Sequence, residues 1–281
     1  MNINLQSLIQ ASNELGAVYK THHSTQNVVE LVLNDESYIF INWTTPLNPQ
    51  SISHLCLDKV FFYHFFQDSI NMPKTAGYLY PFCDQKYLQY LNEKSYQEIV
   101  NSIENQFQYP LIVKNNRGSL GHFVFQVNDR QTLFSAVESI FNHNSKEFDY
   151  VALAQDYIDI KTEYRAVYLN GALVFAYEKN IDNAIYDGNL SPLHWQGAKA
   201  ILVHDKALLN QIARFCSSLF QKMMIPFCGL DVAIDKQGVW WLIEANSAPG
   251  FQHIINDGGQ NEVIDLYKKM ILFLEGKAAR F

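Results

Sequence analysis

Between Glu163 and Lys179 the chain reads EYRAVYLNGALVFAYEK, two strand-like runs joined at Asn170-Gly171, the strongest local hairpin signal in the sequence. Any fold the chain adopts has to accommodate this antiparallel pair. A second hairpin is predicted over residues 229 to 244, where Gly229-Leu230-Asp231-Val232-Ala233-Ile234-Asp235 leads through a Gly238 turn into Trp240-Trp241-Leu242-Ile243-Glu244-Ala245-Asn246. Between the hairpins, Leu208, Leu209, Ile212, Phe215, Cys216, Leu219, Phe220 and Met223 recur at helical spacing and make a broad apolar face suited to covering a sheet. The polar segment from Asn180 to Gly197, with Pro192 inside it, is read as a long loop.

Residues 28 to 33 (VVELVL) and 38 to 42 (YIFIN) flank a polar turn and predict paired strands in a small N-terminal lobe. Thr44 to Pro49 breaks regular structure, after which Phe61, Phe62, Phe65 and Phe66 fall at helical spacing behind Asp58, a suitable cap. Leu111-Ile112-Val113-Lys114 and Phe123 to Val127 predict a hairpin with an elaborated tip. Helices follow from Leu133 to Phe141 and from Val263 to Leu274, and a strand from Val151 to Gln155. With 281 residues, nearly half of them apolar, a sizeable core can be buried, in one large domain or in two to three lobes around a cleft.

Charge and cysteine content exclude several classes of function. A formal charge of -7 offers no broad attraction to nucleic acid or to an anionic membrane. No apolar run is long enough to cross a bilayer and the first residues lack a secretory pattern, so the expected location is cytoplasmic. Cys56, Cys83, Cys216 and Cys228 form neither a disulfide framework nor a C-x2-C knuckle and are read as buried thiols. The nine histidines show no H-E-x-x-H spacing and no G-x-S-x-G elbow exists, which disfavours a zinc site or a hydrolase triad.

Three constellations remain. Lys114 at a strand end precedes a loop with Gly118-Ser119-Leu120-Gly121, where glycines let backbone amides approach an anion; a simple hairpin tip is the alternative. Asp231, Glu244 and Asn246 bring hard oxygen donors to one face of a hairpin and suit magnesium, with turn and cap roles as the alternative. Two acids so placed repel, so the empty protein is expected to gain stability when their charges are removed. Glu163 and Arg165, with Glu178 and Lys179 on the partner strand, either clamp an anion or form solvated cross-strand pairs.

In this order the blocks resemble the ATP-grasp family over about residues 58 to 274. The resemblance includes Asp58-Lys59 before an apolar helix, Met72-Pro73-Lys74-Thr75, Lys114 with its glycine loop, Gln155-Asp156-Tyr157-Ile158, and Asn246-Ser247-Ala248-Pro249-Gly250. It implies an α+β fold in which two α+β lobes enclose a nucleotide, divided into a short N-terminal lobe (1–57), a central subdomain (58–154) and a C-terminal subdomain with the metal site (155–281). By the same resemblance Lys114, Gly118, Ser119 and Gly121 contact the phosphates of ATP, and Gln155, Asp156, Tyr157 and Ile158 bracket adenine. Arg165 and Lys179 face the transferred phosphoryl group, and Asp231, Glu244 and Asn246 hold Mg2+, with Mn2+ as the alternative. The implied reaction is carboxylate–amine ligation through an acyl phosphate, on amino-acid, peptide or small carboxylate and amine substrates. The chain is similar to the branches that add glutamate to protein or peptide ends and to cyanophycin-type synthetases. A phosphotransferase and an inactive nucleotide-binding scaffold are the alternatives, and a homodimer is left open. In Asn189 to Gly197 only those two end residues match the compact turn of many relatives, and His194 and Trp195 are either pocket residues or locally packed.

Overall fold

The computed structural model describes residues 1–118, 121–186 and 188–276. It opens with α1 (Ile3–Leu15), which the sequence reading did not anticipate, capped by the Asn2 side chain accepting from the Asn4 amide. Three antiparallel strands follow in the order β1 (Val18–His22), β2 (Val28–Leu33), β3 (Glu36–Ile41). This N-terminal unit does not stand apart. Leu5, Leu8, Val29, Leu31 and Phe40 share one core with Val167, Phe227, Val263, Leu266 and Tyr267, so its apolar face is buried against the C-terminal half.

Two short helices, α2 (Gln50–Leu57) and α3 (Lys59–Phe66), meet at Asp58, whose side chain caps α3 by accepting from the Phe61 amide. Next come β4 (Thr75–Leu79), α4 (Tyr96–Gln106), β5 (Leu111–Asn115), β6 (Val124–Val127), α5 (Arg130–Ile140) and β7 (Val151–Asp156). The strands form an antiparallel sheet in the order β4-β7-β5-β6, and Ile99, Val100 and Ile103 pack with Leu133, Val137 and Ile140 in the core on one side of it. Its other side is left to face a second sheet.

That second sheet contains β8 (Ile160–Leu169), β9 (Ala172–Asn180), β10 (Lys199–Leu202), then, beyond α6 (Lys206–Lys222), β11 (Phe227–Asp235) and β12 (Trp240–Asn246); α7 (Gln252–Asn256) and α8 (Gln260–Leu274) complete the chain. The order is β10-β9-β8-β11-β12, antiparallel throughout. Asn170 (φ 48°) and Gly171 (φ 75°) both take the left-handed conformation that a tight hairpin turn requires, as predicted. The apolar stripe of α6 (Ile212, Cys216, Leu219) packs on Tyr164, Ala166 and Tyr168, so the alternate residues Glu163, Arg165 and Val167 point to the opposite face. The segment read as one loop, Asn180 to Gly197, contains a short turn of helix at Pro192–His194.

All four cysteines are free; Cys56, Cys216 and Cys228 are buried, whereas Cys83 is half-buried, a departure from the buried reading. Among the described residues no helix is long and apolar enough to cross a membrane.

Candidate active site

Strand register assembles the charged centre. Arg165 on β8 lies opposite Tyr177 on β9 and Asp231 on β11, and Asp231 lies opposite Glu244 on β12. Residues directly opposite one another in a sheet share a face, so all these side chains leave it on the side away from α6. Arg165 grips Asp231 with two nitrogens, Nη2 donating to Oδ2 at 2.8 Å and Nε to Oδ1. Lys179 Nζ stands 3.1 Å from Asp231 Oδ2 and also pairs with Glu163. Glu163, Lys179 and Asp231 are each buried, so the solvated-pair alternative does not apply to them. Glu178, paired with Tyr164, falls on the α6 side.

Burial alone would drive these groups toward neutrality. For Asp231 it works to raise the carboxyl, yet Arg165 and Lys179 outweigh it and hold the group below the ordinary range. For Lys179 burial works downward, and Asp231 and Glu163 reverse it and raise the ammonium. The expected repulsion between Asp231 and Glu244 is therefore not what the site contains. Cations fill the gap: Asp231 is held by two of them, and Glu244 Oε1 is 3.3 Å from Lys59 Nζ. Removing the Asp231 charge would expose Arg165 and Lys179 and would not relieve strain.

Across the cleft, Lys114 on β5 is buried and donates from Nζ to Gln155 Oε1 on β7 at 3.0 Å, and Gln155 Nε2 donates to Thr75 Oγ1 at 2.8 Å. Burial, with Lys59 adding to it, pushes the Lys114 ammonium down to about 8 against the pull of Glu244. Lys59, Met72, Thr75, Lys114, Gln155 and Glu244 line one narrow cleft between the sheets. Asp156, Tyr157 and Ile158 follow Gln155 directly out of β7; the Asp156 amide is tied to Lys74 O at 3.0 Å, and burial raises the Asp156 carboxyl.

The glycine loop is anchored at its start. Lys59 Nζ donates to Gly118 O at 2.7 Å, the Val60 amide donates to Asn116 Oδ1 at 2.9 Å, and Arg117 pairs with Asp58 at 3.2 Å. A Cβ on Gly118 would stand 2.9 Å from Asn115 Cβ, and one on Gly121, whose φ is +70°, would collide with the Asn189 side chain. Ser119 lies outside the described residues.

Asn246 ends β12 opposite Gly229, on the same face as Glu244. Among the described residues no group of three or more His, Cys, Asp or Glu side chains is gathered for a metal. The local oxygens are those of Asp231, Glu244 and Asn246, hard donors that suit magnesium or manganese and not a thiophilic ion. In the sequence Lys59 stands out only as part of the Asp58-Lys59 pair ahead of an apolar helix, with no role at the site attached to it. Trp195 packs locally, its Nε1 donating to Asn189 O and its ring meeting Tyr186 at 5.1 Å, while His194 meets the His253 ring at 5.5 Å.

The sequence profile of the RimK-like ATP-grasp domain matches residues 85–274. Similar solved structures include a D-alanine–D-alanine ligase from Bacillus anthracis, with a TM-score of 0.56 and 17% identity, covering 83% of this chain and 72% of that one. A bifunctional glutathione synthetase from Pasteurella multocida matches with a TM-score of 0.57 and 14% identity, covering 98% of this chain and 44% of that one. At these identities the likeness establishes the ATP-grasp fold. The uncharacterized protein MG012 of Mycoplasma genitalium is 27% identical over 150 residues, 52% of this chain and 46% of its own length. This chain therefore matches less than half the length of that relative.

Proposed function

Because the chain belongs to the RimK-like ATP-grasp family, we propose that it is an ATP-dependent ligase that joins a carboxylate to an amine. The observation that carries this reading is the set of four cations, buried Lys114 and Lys179 with half-buried Lys59 and Arg165, gathered with three carboxylates, Glu163, Asp231 and Glu244, between two sheets. The cations outnumber the carboxylates by one, an excess of positive charge that suits a polyphosphate. The ligase and synthetase names of the structural neighbours fit the same reading.

In this proposal Lys114 and the loop from Gly118 to Gly121, Ser119 included, bind phosphate, and Gln155, Asp156, Tyr157 and Ile158 hold the base. Glu244 and Asn246, with Asp231 beside them, hold Mg2+, which when bound neutralises phosphate charge and polarises the transferred group. The substrate carboxylate attacks the terminal phosphorus and ADP departs; the amine then attacks the acyl carbon, loses a proton and expels phosphate. Arg165 and Lys179 stabilise charge that develops on the phosphoryl oxygens. Asp231, with Glu163, keeps Lys179 protonated and holds both cations in place, so no nucleophilic side chain is needed and the chemistry runs on positioning.

The test is incubation with ATP, Mg2+ and pooled carboxylates and amines, read by mass spectrometry. Ligation gives ADP, phosphate and a product equal to the two substrates less water, only when both are present. A stable phosphorylated product would replace the ligase reading with a phosphotransferase, and absence of ADP across the pools would replace it with a binding protein.

A further inference from the structure

Two asparagines far from the charged centre in sequence grip the backbone that carries it. Asn4, on α1 and fully buried, donates from Nδ2 to Pro249 O at 3.0 Å, and its Oδ1 accepts from the Phe251 amide at 3.1 Å. Asn48, just before α2, donates from Nδ2 to Phe227 O at 2.7 Å and to Ser247 O at 3.1 Å, while its Oδ1 accepts from the Phe227 amide at 3.0 Å. Phe227 begins β11 and Ser247 follows the last residue of β12. One side chain thus ties the start of the strand bearing Asp231 to the end of the strand bearing Glu244 and Asn246. The far side of the segment is closed too. A Cβ on Gly229 would stand 2.9 Å from Arg165 Cδ and 3.0 Å from Pro249 Cβ, so Pro249 is wedged beside the arginine. The Trp43 indole closes over Gly250, with Nε1 3.4 Å from where a Cβ would sit.

We propose that Asn4 and Asn48 are positioning residues for metal binding: they clamp residues 247 to 251 and the ends of β11 and β12, and thereby set where Asn246 and Glu244 present their oxygens. The proposal rests on Glu244 and Asn246 as metal ligands. Its physical basis is that a carboxamide supplies a donor and an acceptor at once and can replace a neighbouring strand at a sheet end, where backbone groups otherwise lack partners. Groups that hold ligands in place typically change metal affinity by about 10- to 100-fold when removed. The N-terminal unit is then a working part of the site, through hydrogen bonds to its backbone, independently of any acceptor that it binds.

The experiment compares binding of ADP in EDTA with binding of Mn2+ and ADP together, by calorimetry and by electron paramagnetic resonance of free Mn2+. The variants are Asn4→Ala, Asn48→Ala, Glu244→Gln and Ser12→Ala, each checked for a folded circular-dichroism spectrum. Ser12 is buried on the same helix and its hydroxyl donates within α1 to Leu8 O at 2.8 Å, so its variant serves as the control for a change in the helix itself. Either asparagine variant is expected to weaken Mn2+–ADP binding by about tenfold or more, with ADP affinity in EDTA unchanged and Ser12→Ala unchanged in both. Asn4 and Asn48 sit on different elements, so a folding failure in one leaves the other to decide. Wild-type Mn2+ affinity in the asparagine variants alongside its loss in Glu244→Gln would overturn the clamp and leave the metal assignment standing. Wild-type affinity in Glu244→Gln would overturn both. Equal weakening with and without metal would also overturn the clamp, because it would show a general loss of structure.

Discussion

Lys114→Met separates what burial of this lysine costs from what its charge does. The folded ammonium is pushed down from its ordinary 10.5 to about 8, which corresponds to about 3 kcal/mol of destabilisation by the charged form at neutral pH. Methionine removes that cost but also the hydrogen bond to Gln155 Oε1, and a buried acceptor left without a partner costs about 1–3 kcal/mol. At neutral pH the variant should therefore equal or exceed the wild type in stability while losing nucleotide affinity. The sharper observable is the pH dependence of the difference. Below about 8 the lysine is charged in both folded and unfolded chains and the penalty is complete; between about 8 and 10.5 only the unfolded chain holds the proton. The unfolded state binds more protons in that window, so wild-type stability rises relative to the variant by about 1.4 kcal/mol per pH unit, to a total of about 3 kcal/mol. Urea unfolding of both proteins across this range measures it, and subtraction removes the other titrating groups. A flat difference would refute the burial argument, and a difference that falls with pH would show that Glu244 holds Lys114 charged.

Asp231→Asn should lower stability by about 3–5 kcal/mol, because Arg165 and Lys179 lose their shared partner inside the protein. Since the folded carboxyl lies below its ordinary 3.8, that contribution is present at neutral pH and fades as pH falls through the folded value; melting curves that converge in acid would bear this out. Glu244→Gln should cut amide formation by orders of magnitude yet change stability by less than about 1 kcal/mol, since the Lys59–Glu244 pair is partly exposed; near-wild-type turnover across a magnesium titration would contradict it. Gly229→Ala forces apart Arg165 and Pro249 and should reduce turnover by about tenfold to a hundredfold, read as kcat with the melting temperature alongside.

What the sequence reveals, and what it hides, follows from the range of the interactions involved. The Asn170-Gly171 turn, the Asp58 cap and the α6 stripe are local, and each is found where its pattern predicts it. α1 escaped because Asn4, Ser7 and Ser12 are buried on it among Leu5, Leu8 and Ala11, which blurs the apolar period. β10 is a short edge strand whose alternate residues Lys199 and Ile201 are exposed, next to a long polar segment. At the site, residue types and spacing suggest candidates, but the pairing that decides their charge state crosses strands. Nothing local to Asp231 says that Arg165 lies opposite it, and nothing near Glu244 points to Lys59, whose Nζ reaches both that carboxylate and Gly118 O.

The strand order β10-β9-β8-β11-β12 also dictates when the charged centre can come into being as the chain folds. Each hairpin, β8 with β9 and β11 with β12, closes a short loop and can form early. The seam between β8 and β11 joins residues whose separation includes β9, β10 and α6, and such non-local pairing is slow. Arg165 and Lys179 sit on one hairpin, Asp231 and Glu244 on the other. Until the seam closes, Arg165 lacks Asp231 and Lys179 has only Glu163 of its own hairpin, so these groups keep water that docking must strip away. Opposite charge draws the halves together, while their desolvation holds back any register in which Arg165 does not meet Asp231. The ion pairs that aim the site thus also favour the one register in which β8 and β11 join.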